Sequence, residues 1–307
     1  MTSAETTSAI AVSETVQTAL NDGRPVVALE STIFTHGLPK PRNLEVAMEA
    51  EQLLEGLGVV PATIGIVGGV PTVGLSTEQI ERLAASEDNV KISIRDLPVA
   101  SALGLSGGTT VAATALLAHR CGIEVFSTGG LGGVHRGADT TFDESADLVA
   151  LAQTPILVVS AGVKSILDIG ATLERLETLN VAVLGYGTTR FPGFYVRDSG
   201  FEISYSVDTP EEAARVVRAR TALAINSAIV LANPVAEDLQ LDTELHTAVL
   251  EEALAAAEKE SIAGNDTTPF LLDYIQRATG GRSLDVNVDV YRGNVALGGA
   301  VATALST

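Results

Sequence analysis

Lysine is nearly absent from this chain. Its 307 residues include only Lys40, Lys91, Lys164 and Lys259, so most of the 19 basic residues are arginines. Against them stand 38 acidic residues, giving a net charge of −19. A surface that negative argues against a nucleic-acid backbone or an anionic membrane as partner, and any anionic substrate has to be met by local positive groups. The one cysteine, Cys121, excludes an intramolecular disulfide and fits a reducing compartment. Set at the end of an alanine-rich run, it reads as a small buried residue rather than a nucleophile. No apolar stretch reaches the length of a membrane span. The opening "MTSAETTSAIAVSETV" has neither the basic start nor the continuous apolar segment of a signal peptide. These absences point to a soluble, cytoplasmic protein, with residues 1–10 expected to be disordered.

What is present is an alternation of two hydrophobic periods. "RPVVALES" (24–31), "ATIGIVGG" (62–69), "NVKISI" (89–94), "IEVFSTGG" (123–130), "PILVVSAG" (155–162), "VAVLGYG" (181–187) and "SAIVLANP" (227–234) read as strands. The segments 43–58, 109–122, 172–180, 210–223 and 243–260 read as helices, the last with Thr243 as N-cap. Strands alternating with helices predict a layered α/β fold. No low-complexity linker or internal repeat interrupts the pattern, so residues 11–307 are expected to form a single domain. The segment from Arg282 mixes strand-like alternation with helix-forming alanines and is expected to be mostly helix.

Ligands in open α/β sheets bind at the carboxyl ends of strands, so the residues there carry the functional reading. In "LVVSAGVKSILDIG" (157–170), Lys164 follows a strand, and Ser165–Asp168 read as the first turn of a helix. Burial and a helix amino-terminus would both lower the proton affinity of such an amine, and a neutral lysine forms a Schiff base with a carbonyl. A lysine whose stem snorkels from a strand end has the same signature. Glu30 directly follows the apolar run Val26–Leu29, where partial burial would suit it to proton transfer, although a glutamate bonded to loop amides would look alike. Gly107-Gly108 lead through Thr109-Thr110-Val111 into a helix, as in a phosphate cradle or a tight turn with a threonine cap. "STGGLGGVHRGADTTFDESAD" (127–147) is a long polar loop with His135, Arg136, Asp139, Asp143 and Asp147. It matches no calcium loop or zinc signature, but Asp143 alone would suffice to anchor a hydrated Mg²⁺ or Mn²⁺. An acidic surface loop is the alternative. From the residues alone the reading stops at a Schiff-base lyase acting on a phosphorylated sugar. An aldolase-like enzyme or a non-catalytic sugar-phosphate sensor remain open.

Taken together, "ALESTIFTHGLPKPRN", "GIVGGVPTVGLS", "KISIRDLP", "GGTTVAAT", "STGGLGGVHRGADTTFDESADL", "SAGVKSILDIGATLERLETLNV", "LANP" and "TPFLLDYI" resemble, in order and spacing, the pseudouridine-5'-phosphate glycosidases, also called the indigoidine synthase A-like family. The resemblance runs from about residue 12 to about residue 305 and departs from the family pattern at Ile94, where a basic residue is expected beside Arg95. It implies a three-layer α/β/α fold around a mixed, mostly parallel sheet, assembled as a homotrimer. It also implies reversible cleavage of the carbon–carbon glycosidic bond of pseudouridine 5'-phosphate to uracil and ribose 5-phosphate. By this resemblance Lys164 is the nucleophile and Glu30 the general acid/base. Lys91, Thr110, the Val111 backbone and Ser145, Ala146 and Asp147 contact substrate, with His135 and Asn287 as further pocket members. Asp143 is the implied ligand of a divalent metal, Mn²⁺ before Mg²⁺.

Overall fold

Each of the seven apolar runs contains a strand, and the sheet they build is mostly parallel. The computed structural model describes residues 9–260, 262 and 267–307. Its strands are Ala11–Val12 (β1), Val26–Leu29 (β2), Val60–Val67 (β3), Val70–Val73 (β4), Val90–Ile92 (β5), Gly107–Thr109 (β6), Val125–Ser127 (β7), Leu157–Ser160 (β8), Ala182–Tyr186 (β9), Tyr205–Val207 (β10) and Ile229–Ala232 (β11). Seven of them run parallel in the order β3-β2-β7-β8-β11-β9-β10. β3 is long enough to do two jobs. Its first half pairs with β2 in parallel register, and from Ile64 onward it turns to antiparallel partners, β4 and β6.

The helices are Glu14–Asn21 (α1), Arg42–Gly56 (α2), Thr77–Ala85 (α3), Leu97–Leu103 (α4), Val111–Arg120 (α5), Ala138–Thr141 (α6), Ala146–Ala152 (α7), Ile169–Thr178 (α8), Pro210–Ala222 (α9), Thr243–Lys259 (α10), Thr267–Ala278 (α11) and Arg282–Ser306 (α12). Side chains alternate across a strand, so each central strand feeds two cores. On one face Val27 and Leu29 of β2, Leu157 and Val159 of β8, and Ile229 and Leu231 of β11 pack with α2, α9 and α12. On the other, Val26, Ala28, Phe126, Val158 and Val230 pack with α1, α5 and α7. Burial on both faces explains why these strands read as unbroken apolar runs. The fold is the expected three-layer α/β/α arrangement, and α12 bears out the helical reading of the segment from Arg282.

Several boundaries differ from expectation for local reasons. Residues 1–8 of the proposed disordered start lie outside the described residues, whereas Ile10 packs against the second core and β1 pairs with β4. Asp242 caps α10, accepting from Leu245 N at 2.8 Å, so Thr243 is the first helical residue rather than the cap. The stretch from Ser165 to Asp168 is not helical: Asp168 is the N-cap of α8, accepting from Ala171 N at 2.9 Å. Thr109 belongs to β6, which delays the following helix to Val111. Among the described residues no helix is long and apolar enough to cross a membrane.

The approach of α12 to the sheet rests on Gly298. A Cβ there would collide with the Ser127 hydroxyl at the end of β7. At Gly293, in the same helix but on its exposed side, a Cβ would meet only Asn233 Nδ2, at 3.6 Å. Gly298→Ala should therefore lower unfolding free energy by about 1–3 kcal/mol through overpacking. Gly293→Ala should be neutral or gain up to about 1 kcal/mol from helix propensity. Urea denaturation of the pair measures both. Equal effects would mean that the close approach does not govern the packing of α12.

Candidate active site

The carboxyl ends of the central strands meet around one cavity of about 280 Å³, whose wall includes Glu30, Lys91, Lys164 and Asn287. These four are brought together from the end of β2, from β5, from the loop after β8 and from α12. Glu30 is 8% exposed, and Thr128, just past β7, donates its hydroxyl to Glu30 Oε1. Burial pushes the carboxyl above its ordinary range and nearby Asp147 adds to this, whereas the charge of Lys164, the Thr128 hydroxyl and Lys91 pull the other way. Burial dominates, so the protonated form of Glu30 persists to higher pH than that of an exposed glutamate.

Lys164 does not stand at a helix start. Its backbone is tied to the glycine-rich loop: Lys164 N donates to Leu131 O at 3.1 Å, and Leu131 N to Gly162 O at 2.9 Å. The loop and the segment after β8 thus form a short parallel bridge, Leu131 with Val163, that sets the lysine beside Glu30. The helix-dipole reason for a neutral lysine at 164 therefore falls, since α8 begins only at Ile169. Lys91 is the second amine of the cavity. Burial and the charge of Lys164 lower its proton affinity, and Asp147 and Glu30 partly restore it.

The remaining candidates lie outside this wall. Asp147 is 7% exposed, and its two oxygens accept from Ala112 N and Gly132 N, each at 2.9 Å. The carboxylate is a clamp between the start of α5 and the glycine loop. Its charge still reaches Glu30 and Lys91. Ser145 caps α7, accepting from Asp147 N at 3.2 Å, and Ala146 is the first residue of that helix. Thr110 caps α5 through Ala113 N at 3.4 Å, and Thr110 N donates to Ile92 O at 3.0 Å. With Ala112 N taken by Asp147, Val111 N is left as the free amide of that first turn among the described residues.

The glycine pair before α5 has a packing reason of its own. Gly107 and Gly108 lie in β6, and a Cβ on Gly108 would run into the Thr35 hydroxyl. His135 and Asp143 form a third group on the polar loop. Their side chains stand 3.9 Å apart, and His135 N donates to Asp143 O at 3.0 Å. Among the described residues no group of three or more His, Cys, Asp or Glu side chains could encase a metal ion.

Some of the site could not be anticipated. Thr128 sits inside a segment read as strand, and only the fold brings it to Glu30. His36, also on the cavity wall, lies in a π-helical turn, Ile33–Gly37; burial lowers its proton affinity, and the Asn89 carbonyl partly offsets this. Phe194 reaches the cavity from far along the chain. It has φ +66°, and Tyr195 N donates to Gly193 O at 2.8 Å, so Phe194 centres a strained, positive-φ γ-turn. Its ring fills the space that a side chain at Gly130 would need. Backbone strain of this kind clusters at functional sites.

The comparisons with known proteins cover nearly the whole chain. The family model described as "Indigoidine synthase A like protein" matches residues 15–304. A Saccharopolyspora erythraea protein named pseudouridine-5'-phosphate glycosidase is 66% identical over 295 residues, covering 96% of this chain and 97% of its own. A Frankia alni protein of the same name is 55% identical, covering 96% of this chain and 82% of its own. Among solved structures, a prealnumycin C-glycosynthase in complex with ribulose 5-phosphate superposes with a TM-score of 0.90 at 40% identity, covering 97% of each chain. An indigoidine synthase A-like protein from Thermotoga maritima gives 0.87 at 33% identity, covering 97% of this chain and 98% of its own. With relatives this similar along nearly its full length, the chain belongs to the indigoidine synthase A-like family.

Proposed function

We propose that this protein is a pseudouridine-5'-phosphate glycosidase, with Lys164 as nucleophile and Glu30 as general acid/base. The observation that carries the reading is one cavity walled by both a buried carboxyl with raised proton affinity and an amine from the loop after β8. High identity to proteins bearing that name supports the substrate, and a fold neighbour with a bound pentulose phosphate supports a phosphorylated pentose. The bond concerned joins C1' of the sugar to C5 of uracil, so protonating a ring nitrogen cannot release the base. Lys164 Nζ bonds C1' as the C1'–O4' bond opens and O4' takes a proton. The open-chain sugar then carries both the amine and the base at C1'. Glu30 delivers a proton to uracil C5, the C1'–C5 bond breaks, and the nitrogen lone pair closes to a C1'–N imine. Water hydrolyses the imine to ribose 5-phosphate and restores the amine. Run backwards, the same steps make the bond.

In this proposal Lys91 pairs with the phosphate, the free Val111 amide and the residues from Ser145 to Asp147 border the substrate, and His135 and Asn287 complete the surroundings. Asp143 would hold the divalent ion. A lone carboxylate with a ring nitrogen nearby fits a hydrated Mn²⁺ or Mg²⁺, which keeps most of its waters, and fits no fully protein-caged ion. When bound, such an ion supplies a hydrated positive charge to an otherwise acidic loop. A homotrimer and a role in pseudouridine breakdown belong to the same proposal and rest on the family resemblance.

Three measurements test it. Incubation with ribose 5-phosphate and borohydride should leave a reduced pentose phosphate on the peptide containing "SAGVKSILDIG", and Lys164→Arg should abolish both trapping and uracil release. Lys91, whose own proton affinity is lowered, is the competing amine. Adduct at Lys91 in the wild type would reverse the assignment. Glu30→Gln should keep substrate binding while kcat falls about 10²- to 10⁴-fold, the usual contribution of a positioned acid/base. A near-normal kcat would move that role elsewhere. Asp143→Ala should fold normally, the side chain being 44% exposed, and lose activity in parallel with bound metal. Full wild-type activity in excess chelator would remove the metal from the reading.

A further inference from the structure

We propose that Thr128 is the positioning residue for Glu30, fixing which carboxyl oxygen carries the exchangeable proton, and that Asn294 of α12 fixes Thr128 in turn. The inference rests on the reading of Glu30 as acid/base. A hydroxyl has one proton, and Thr128 donates it to Glu30 Oε1, so Oε1 is an acceptor. With Thr128 as the donor, Oε1 is engaged as acceptor and the exchangeable proton of Glu30 is assigned to Oε2. Thr128 is fully buried. Its N–H donates to Val159 O at 3.0 Å, and its carbonyl accepts from Asn294 Nδ2 at 2.8 Å. The same amide nitrogen reaches Gly129 O at 3.2 Å, and Asn294 Oδ1 accepts from Asn233 Nδ2 at 3.0 Å. Asn294 is itself fully buried. The chain Asn233–Asn294–Thr128–Glu30 thus links the ends of β11, β7 and β2 through one helix, with every step in hydrogen-bond contact.

The charged and titratable groups facing Glu30 are Lys164 and Lys91, which favour its ionised form, Asp147, which opposes it, and Tyr291 of α12, whose own proton is held more tightly by burial first and by the charge of Glu30 second. The Thr128 hydroxyl favours the ionised form as well. Removing it should make Glu30 hold its proton to higher pH. In Thr128→Val the limb of the kcat–pH profile for uracil release that belongs to Glu30 should move up by roughly 1 to 2 pH units, the range expected for a hydrogen bond to a charged group. kcat should fall while KM for pseudouridine 5'-phosphate stays near wild type. Thr128→Ser keeps the donor and should restore the wild-type limb. Thr128→Cys, a weaker donor of similar size, should fall between and serves if the valine variant folds poorly. Imine trapping at Lys164 with ribose 5-phosphate should be unchanged in all three, because no proton on uracil is involved. A limb that stays put in both Thr128→Val and Thr128→Cys, or that moves as far in Thr128→Ser, would overturn the inference. Normal turnover in Glu30→Gln would instead overturn the acid/base reading beneath it, so the two failures are distinguishable.

Discussion

Two backbone amides, from Ala112 and Gly132, converge on the carboxylate of Asp147, and that contact ties together the loop and helix starts around the site. A carboxylate this deeply buried needs such donors, and hydrogen bonds to a charged group are worth about 1.5–3 kcal/mol. The clamp joins the start of α5 to both ends of the polar loop, at Gly132 and at the start of α7. It takes one amide of the α5 first turn and leaves that of Val111. It also holds the loop whose Leu131 aligns the Lys164 segment. The same charge makes Glu30 a weaker acid and helps Lys91 keep its proton. The clamp thus ties the site's loops together and, through its charge, adds a smaller contribution to proton affinities that burial dominates.

Most of the layered fold was legible because its signal is repetitive. Strands buried on both faces must be apolar throughout, and β2, β8 and β11 display this without ambiguity. Glu30 and Lys164 were visible because they are polar interruptions at the ends of such runs. The start of α8 was not, although Asp168 is a good capping residue. Residues 161–167 are held by a bridge to the distant glycine loop, and no local pattern reports a contact of that kind. The pair Gly107-Gly108 is ambiguous for a related reason. Close approach of a neighbouring element and close approach of a phosphate require the same absent side chain, and here the neighbour is Thr35. Thr128 and Phe194 carry no sequence signal, because the role of each depends on where another element passes.

The polar loop shows the limit from the other side. Its composition marks His135, Asp143 and Asp147 as one group, yet they separate into a clamp facing inward and an outward pair. Spacing along a flexible stretch does not decide which carboxylate meets backbone amides and which meets water. That division is settled by which amides lack partners, and the first turn of α5 and the glycine loop supply them.

The last helix closes the centre of the sheet. α12 lies across β2, β7 and β8 and brings Asn287, Tyr291 and Asn294 to residues placed near the beginning of the chain. During synthesis, the apolar face between α2 and α9 stays open until α12 has emerged from the ribosome. A nascent chain stalled before that point would present a wide hydrophobic groove and an unfinished pocket, making it both inactive and attractive to chaperones. A chain shortened at its carboxyl end would remain in that condition permanently.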